Sequence, residues 1–268
     1  MPLGLGTQIG RGGARTPSHV TSNLKMLHRY NTGSVVPVSD GAAYIDGDGD
    51  YIYTNATFQS TFRGSHSICM WVKPIDGNPS GTEYFLGSKN NVEGVAEDRV
   101  YFALLADGKV KYRLEGNADG DDLTSSTVFT DGVQDWTHLA ITALKDEGAS
   151  NGFKLYVNGV LHSQADSSAV SDANWAAFET DIELDLGAYN ENGSHTNSLD
   201  GYMCNVGIWS GVLTQAQIKS IMWKNYAGLT TGTGSESENL VSWYNLDEGT
   251  GTTATDSHGS NNGSATFS

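Results

Sequence analysis

Carboxylates are the side chains whose type and spacing come nearest to chemistry. Glu183-Leu184-Asp185-Leu186 puts two of them on one face of a strand. A carboxyl pair about 5 Å apart can cleave a glycosidic bond, one group as nucleophile and the other as acid. Asp46, Asp48 and Asp50 crowd three more into one turn, and clustered hard oxygen ligands suit calcium. The spacing opens like an EF-hand loop, but Tyr51 stands at the turn glycine and Thr57 at the closing glutamate, so it is not one. Two readings stay open, a calcium site and a solvated acidic turn. Asp256 is a further candidate ligand if the tail folds back. His66, His138, His162, His195 and His258 show no zinc-ligand spacing. Neither G-x-S-x-G nor G-x-x-x-x-G-K occurs.

Charge is unevenly spread. Arg11, Arg15, Lys25 and Arg29 give residues 1–39 a charge of +4 with no acid, while the other 11 basic and 31 acidic residues leave −20. An acidic body disfavours nucleic acid, and a basic Gly-rich start is a different surface. It reads either as a flexible tail or as an arm that docks on something acidic. The start MPLGLGTQIGRGG lacks the apolar stretch of a secretory leader, and no run is long enough to span a membrane. Cys69 and Cys204 lie in strand-like runs and read as buried thiols.

Thirty-three glycines among 268 residues, with abundant Asn, Ser, Thr and Asp, favour many short strands. The clearest pair runs from Asp135 to His162. Leu139, Ile141 and Ala143 alternate with His138, Ala140 and Thr142, and Phe153, Leu155 and Val157 alternate with Lys154, Tyr156 and Asn158. Asn158-Gly159 then marks a tight hairpin turn. Such a pair leaves an apolar face that needs a second layer. Further strands are expected at Ile68–Lys73, Glu83–Gly87, Val100–Leu105, Lys109–Leu114, Asp181–Tyr189 and Leu199–Ser210. Ala43–Ile45 and Tyr51–Tyr53 read as a hairpin around the acidic turn. Residues 163–180 form a long loop. Thr214 and Gln217 form a capping box that opens one short helix, with Gly228 its expected end.

These motifs carry a resemblance. DWTHLAIT followed by GFKLYVNG, AAYIDGDGDYI near the start, HSICMWVKP, and LDGYMCNVGIWS before VLTQAQI are similar to the laminin G-like, concanavalin A-like jelly rolls. The resemblance covers residues 35–268 and implies an all-β, two-sheet antiparallel jelly-roll sandwich with one short helix. The block LVSWYNLDEGTGTTATDSHGS resembles one that opens the domain in that family, yet here it closes the chain. It reads either as a permuted strand filling the first slot or as a truncated second repeat. The first reading gives a basic arm over residues 1–34, a jelly roll over 35–229, a linker over 230–238 and a completing segment over 239–268.

The resemblance bears on function too. Related glucanases carry E-x-D-x-x-E, and here Ala188 replaces the last acid, so an enzyme is not expected and a degenerate glycoside hydrolase is a remote alternative. Calcium at a sandwich rim is implied, with Asp46, Asp48, Asp50 and Asp256 as candidates, although the family's late-strand acidic pair is here Cys204-Asn205. Sugar binding in this fold uses exposed aromatics, which makes Trp175, Tyr189 and His195 the candidates. The start M-P-L-G-L-G joined to such a sandwich resembles proteins of tailed phages of marine bacteria. That resemblance implies a homo-oligomeric capsid or tail accessory protein made in the host cytoplasm. Leu3, Leu5, Ile9, Arg11 and Arg15 would attach it to other virion proteins, and it would touch neither nucleic acid nor membrane. A lectin or adhesin unconnected with a virion is the alternative.

Overall fold

The period-2 runs become strands, and their apolar sides close on one another. The computed structural model describes residues 36–90, 98–116, 119–145, 152–166, 175, 178, 182–231 and 235–267. The first strands are β1 (Ala43–Asp46), β2 (Tyr51–Tyr53), β3 (His66–Pro74), β4 (Glu83–Asn90), β5 (Asp98–Leu104) and β6 (Lys109–Gly116). Next come β7 (Asp119–Thr127), β8 (Thr137–Ala143), β9 (Phe153–Val157), β10 (Val160–Ala165), β11 (Asp185–Leu186) and β12 (Tyr189–Glu191). The last are β13 (Ser194–Thr196), β14 (Asp200–Trp209), β15 (Leu240–Tyr244), β16 (Thr253–Ala254) and β17 (Gly263–Thr266).

These strands make a two-sheet sandwich. A seven-stranded sheet runs β1-β14-β3-β8-β9-β10, with β15 also on β14. A ten-stranded sheet runs β16-β17-β2-β11-β4-β5-β6-β7, with the β12–β13 hairpin against β4. Between them lies a core that includes Ile68, Met70, Val72, Leu139, Ile141 and Leu155 from one sheet. The other sheet contributes Ile52, Leu86, Val100, Phe102, Tyr112 and Leu114. The β9–β10 turn is the one the sequence promised, with Asn158 at φ 49° and Gly159 at φ 72°.

The tail is shared between the sheets. β15 pairs with β14, and β17 pairs with β2. Asp256, buried behind β15, fixes the tail's return. Its carboxylate accepts from the backbone amides of Trp243, His258, Gly259 and Asn261 and from the Ser242 hydroxyl, at 2.8 to 3.1 Å.

Several expectations fail, among them the continuous strand up to Tyr189, which Gly187 at φ 77° divides between β11 and β12. Ala43–Asp46 and Tyr51–Tyr53 are not a hairpin. β1 pairs with β14 in one sheet, and β2 pairs with β11 and β17 in the other. Ile45 and Ile52 therefore meet through the core instead of side by side, and the acidic turn, with Gly47 and Gly49 at positive φ, carries the chain across. The single helix is instead three among the described residues: α1 (Gln59–Phe62), α2 (Gln215–Ile221) and α3 (Tyr226–Thr230). The capping box at Thr214 and Gln217 is present. α2 stops at Met222, and Asn225 caps α3, which contains Gly228. An Asn side chain that accepts from an amide three residues on restarts a helix as readily as Gly ends one.

Candidate functional site

Strand alternation that sends Ile52, Leu186 and Val100 inward sends their neighbours outward. Register places Tyr53, Asp185, Gly87, Tyr101, Arg113 and Asp122 in one row across the outward face of the ten-stranded sheet. Beside it runs the row Lys89, Arg99 and Glu115. Polar and aromatic groups thus gather from six strands, β2, β4 to β7 and β11.

One end of the face is built on Asp185. Its carboxyl is 0 % exposed, and one oxygen, Oδ1, has no hydrogen-bond partner. The other lies 2.5 Å from His195 Nδ1. Burial pushes the Asp185 carboxyl up to about 7, against the pull of His195. The β12–β13 hairpin brings His195 back over this row. The ring stacks on Tyr51 at 3.6 Å and meets the edge of Tyr53 at 6.1 Å. Burial, then a hydrogen bond to Glu183, pushes the Tyr53 hydroxyl up to about 12. With Nδ1 held by Asp185, Nε2 is the ring nitrogen left for an outside partner.

The middle is aromatic. Tyr84 stacks on Tyr189 at 4.5 Å, and Tyr101 stands edge-on to both. This arrangement requires Gly87, because a Cβ there would lie 2.5 Å from the Tyr189 ring. The far end is ionic. Arg99 Nε lies 2.5 Å and Arg113 Nε 2.8 Å from the same oxygen of Glu115, whose side chain is only 5 % exposed. Burial alone would raise the Glu115 carboxyl, but the two guanidiniums outweigh it and hold it below the usual range.

The residues singled out in the sequence meet different fates. His195 and Tyr189 sit on this face, Tyr189 mostly buried as a ring beneath Tyr84. Trp175 is a core residue instead: it is 1 % exposed and donates its indole N–H to Phe62 O at 2.7 Å. Its large apolar ring closes the end of the sandwich beside His66 and Phe153. Glu183 and Asp185 share the face, but Asp185 lies beneath His195, out of reach of a substrate. Cys69 and Cys204 are buried free thiols.

The Asp46–Asp50 turn is tied by its own backbone amides. Asp50 is buried and accepts from the Asp46 amide, while Asp46 accepts from the Asp48 amide. Asp256 is committed to the tail, and among the described residues no three His, Cys, Asp or Glu side chains gather as a metal site. Leu3, Leu5, Ile9, Arg11 and Arg15 lie outside the described residues.

Sequence reasoning passed over Tyr51, Tyr53, Tyr84, Tyr101, Arg99, Arg113 and Glu115. The available signal was alternation itself: in Arg99-Val-Tyr-Phe and Lys111-Tyr-Arg-Leu-Glu115 the outward positions are all Tyr or charged.

No curated relative matches the sequence. Several solved structures share the fold. The carbohydrate-binding module CBM40 of the Ruminococcus gnavus IT-sialidase, in a structure bound to alpha2,3 sialyllactose, superposes with a TM-score of 0.53 at 17 % identity, over 72 % of this chain and 100 % of that one. The same module bound to alpha2,6 sialyllactose gives 0.54 at 16 %, over 71 % and 100 %. A leech intramolecular trans-sialidase gives 0.51 at 13 %, over 74 % of this chain but 29 % of that one. Residues 46–219 match the family described as the concanavalin A-like lectin/glucanases superfamily, and the chain belongs to it.

Proposed function

We propose that this protein is a non-catalytic glycan-binding module whose ligand lies on the outward face of the ten-stranded sheet. The observation that carries the reading is the Tyr51–His195–Asp185 stack, where an aromatic ring and a held imidazole lie face to face and leave their outer faces and Nε2 for a ligand. Sugar rings bind by laying C–H faces on aromatic rings while a few placed polar groups take their hydroxyls. The fold neighbours that carry bound sialyllactose support this class of ligand. Hydrolysis is not proposed, since Ala188 stands where a third acid would be and Asp185 is shut beneath His195. The full chain, applied to a broad glycan array, should bind at least one class, and Tyr51→Ala with His195→Ala should abolish binding. Reducing ends should not accumulate when hits are incubated with the protein. An empty array would overturn the reading.

A second reading concerns where the module works. The split between +4 over residues 1–39 and −20 over the rest supports a basic arm that attaches an acidic sandwich to a virion, as a homo-oligomer. Ordering a Gly-rich arm costs entropy, and several arms on one oligomer offset that cost. Rebinding of a variant lacking residues 1–20 to stripped particles tests it. Undiminished rebinding would refute the arm's role and leave the glycan reading untouched.

A further inference from the structure

We infer that the outward face of the ten-stranded sheet selects neutral, hydroxyl-rich glycans and rejects acidic ones. This rests on the glycan reading and goes past it to the ligand's chemistry. The sialyllactose seen on fold neighbours would then not carry over to this chain.

The cations of the face decide the matter. A sugar carboxylate needs a lysine or arginine whose charge is not already answered. Lys89 pairs with Glu191 at 2.9 Å, Lys109 with Asp107 at 2.5 Å, and Lys111 with Asp122 at 2.5 Å. Arg99 and Arg113 both close on Glu115, and Arg113 also reaches Asp122. These internal carboxylates occupy the places that a ligand carboxylate would take. Glu115 raises the barrier further, because drawing either guanidinium away would weaken the pairing of a nearly buried charge. Beyond contact range, the −20 carried by residues 40–268 repels an incoming anion.

What remains for a ligand is of the opposite character. Tyr51 and His195 present stacked rings, and Tyr53 shares a hydrogen bond with the carboxylate of Glu183. A carboxylate takes hydrogen bonds and gives none, so Glu183 prefers sugar hydroxyls to sugar acids. Asp185 acts at one remove. By holding Nδ1 it positions the His195 ring so that Nε2 meets a hydroxyl.

Isothermal titration of the full chain with neutral oligosaccharides of glucose, galactose and mannose, and in parallel with sialyllactose and oligogalacturonate, tests the inference. The expected result is binding of a neutral sugar with little dependence on salt and no detectable binding of either acid. His195→Ala should weaken the neutral ligand about tenfold or more. Glu115→Gln, which releases Arg99 and Arg113 from a full negative charge, should gain measurable affinity for an acidic sugar. If that variant does not fold, the wild-type comparison still decides. A wild-type preference for either acidic glycan overturns the inference and leaves glycan binding standing. Binding to none of the panel, with an empty array, sinks the glycan reading itself and takes the inference with it. Neutral binding undiminished in both Tyr51→Ala and His195→Ala would move the ligand off this face and overturn both.

Discussion

The outward faces of the two sheets are made by the same alternation and end as opposites. On the seven-stranded sheet, Cys69, Trp71, Ala140, Tyr156, Trp209 and Trp243 face away from the sandwich core and are nevertheless buried, while Tyr44 at the β1 edge is open to solvent. α2 and α3 cover Cys69, Ala140, Tyr156, Trp209 and Trp243 with Ile218, Ile221 and Leu229 in a second apolar cluster outside the sandwich, and Met222 at the end of α2 joins Trp71 and Cys204 in a third, smaller cluster. On the ten-stranded sheet the same positions are tyrosines and matched ion pairs, partly open to solvent. A strand's period says which residues share a face, but what later elements lay over that face decides whether it becomes core or surface. The covered face stabilises, and the open one is where a ligand can act.

The sharpest way to break this comparison is to remove part of the covered face. Deleting residues 239–268 takes away Leu240, Trp243 and Tyr244 and the pairing of β17 with β2, and should leave insoluble or unfolded protein. A soluble truncation with a cooperative melt would show that the tail is dispensable. On the covered face, Trp209→Ala should cost about 3–5 kcal/mol, since a fully buried ring leaves a cavity and its indole N–H bond to Glu236 O is lost. A loss under about 1 kcal/mol in chemical denaturation would mean that this cluster is not core.

Titration separates interior from face as well. His66 is buried, and burial lowers it to about 4 from 6.5. The unfolded chain therefore takes the proton first, and stability falls as pH drops from 6.5 towards 4, by roughly 3 kcal/mol at most. Asp185 has the opposite sign. Its folded carboxyl, raised to about 7, stays protonated where the unfolded one has ionised, so its contribution is complete below about pH 4 and fades as pH rises to 7. His66→Gln should thus cost roughly 2–3 kcal/mol less at pH 4.5 than at pH 7. An equal cost at both would refute the assignment.

Smaller effects belong to the open face. Glu115→Gln should destabilise by about 1–2 kcal/mol, because two partly exposed arginines lose a charged partner but keep access to water. Tyr51→Ala should cost about 1 kcal/mol or less while removing glycan binding. A Tyr51→Ala variant that unfolds would place this face with the core.

Most of the sandwich was legible because its signals are local. The Asn158-Gly159 turn, the β5–β6 hairpin through Asp107-Gly108 and the Thr214 capping box are each set by neighbours in sequence. β1 and β2 were misjudged because an apolar run carries no record of which sheet it joins. The candidate site was half visible. His195 and Tyr189 were noticed as aromatic candidates for a sugar, but the reason they matter, Asp185 beneath one and Gly87 beneath the other, exists only after β4, β11 and the β12–β13 hairpin meet. Trp175 misled because a loop aromatic that caps a core and one that stacks on a sugar have the same sequence.

The pairing of β2 between β11 and β17 has a consequence for synthesis. Tyr51–Tyr53 leaves the ribosome early, yet one of its partners, Gly263–Thr266, lies at the far end of the chain. At about 5–20 residues per second the wait is roughly 10–40 s. Once β11 has paired with β2, that side of the sheet stays a bare strand edge until β17 arrives, open to pairing with a neighbouring nascent chain. The closing step is a contact of very long loop, slow in itself. Yield should therefore depend on how crowded the nascent chains are, and slow or dilute production should favour the closed sandwich over strand exchange between copies.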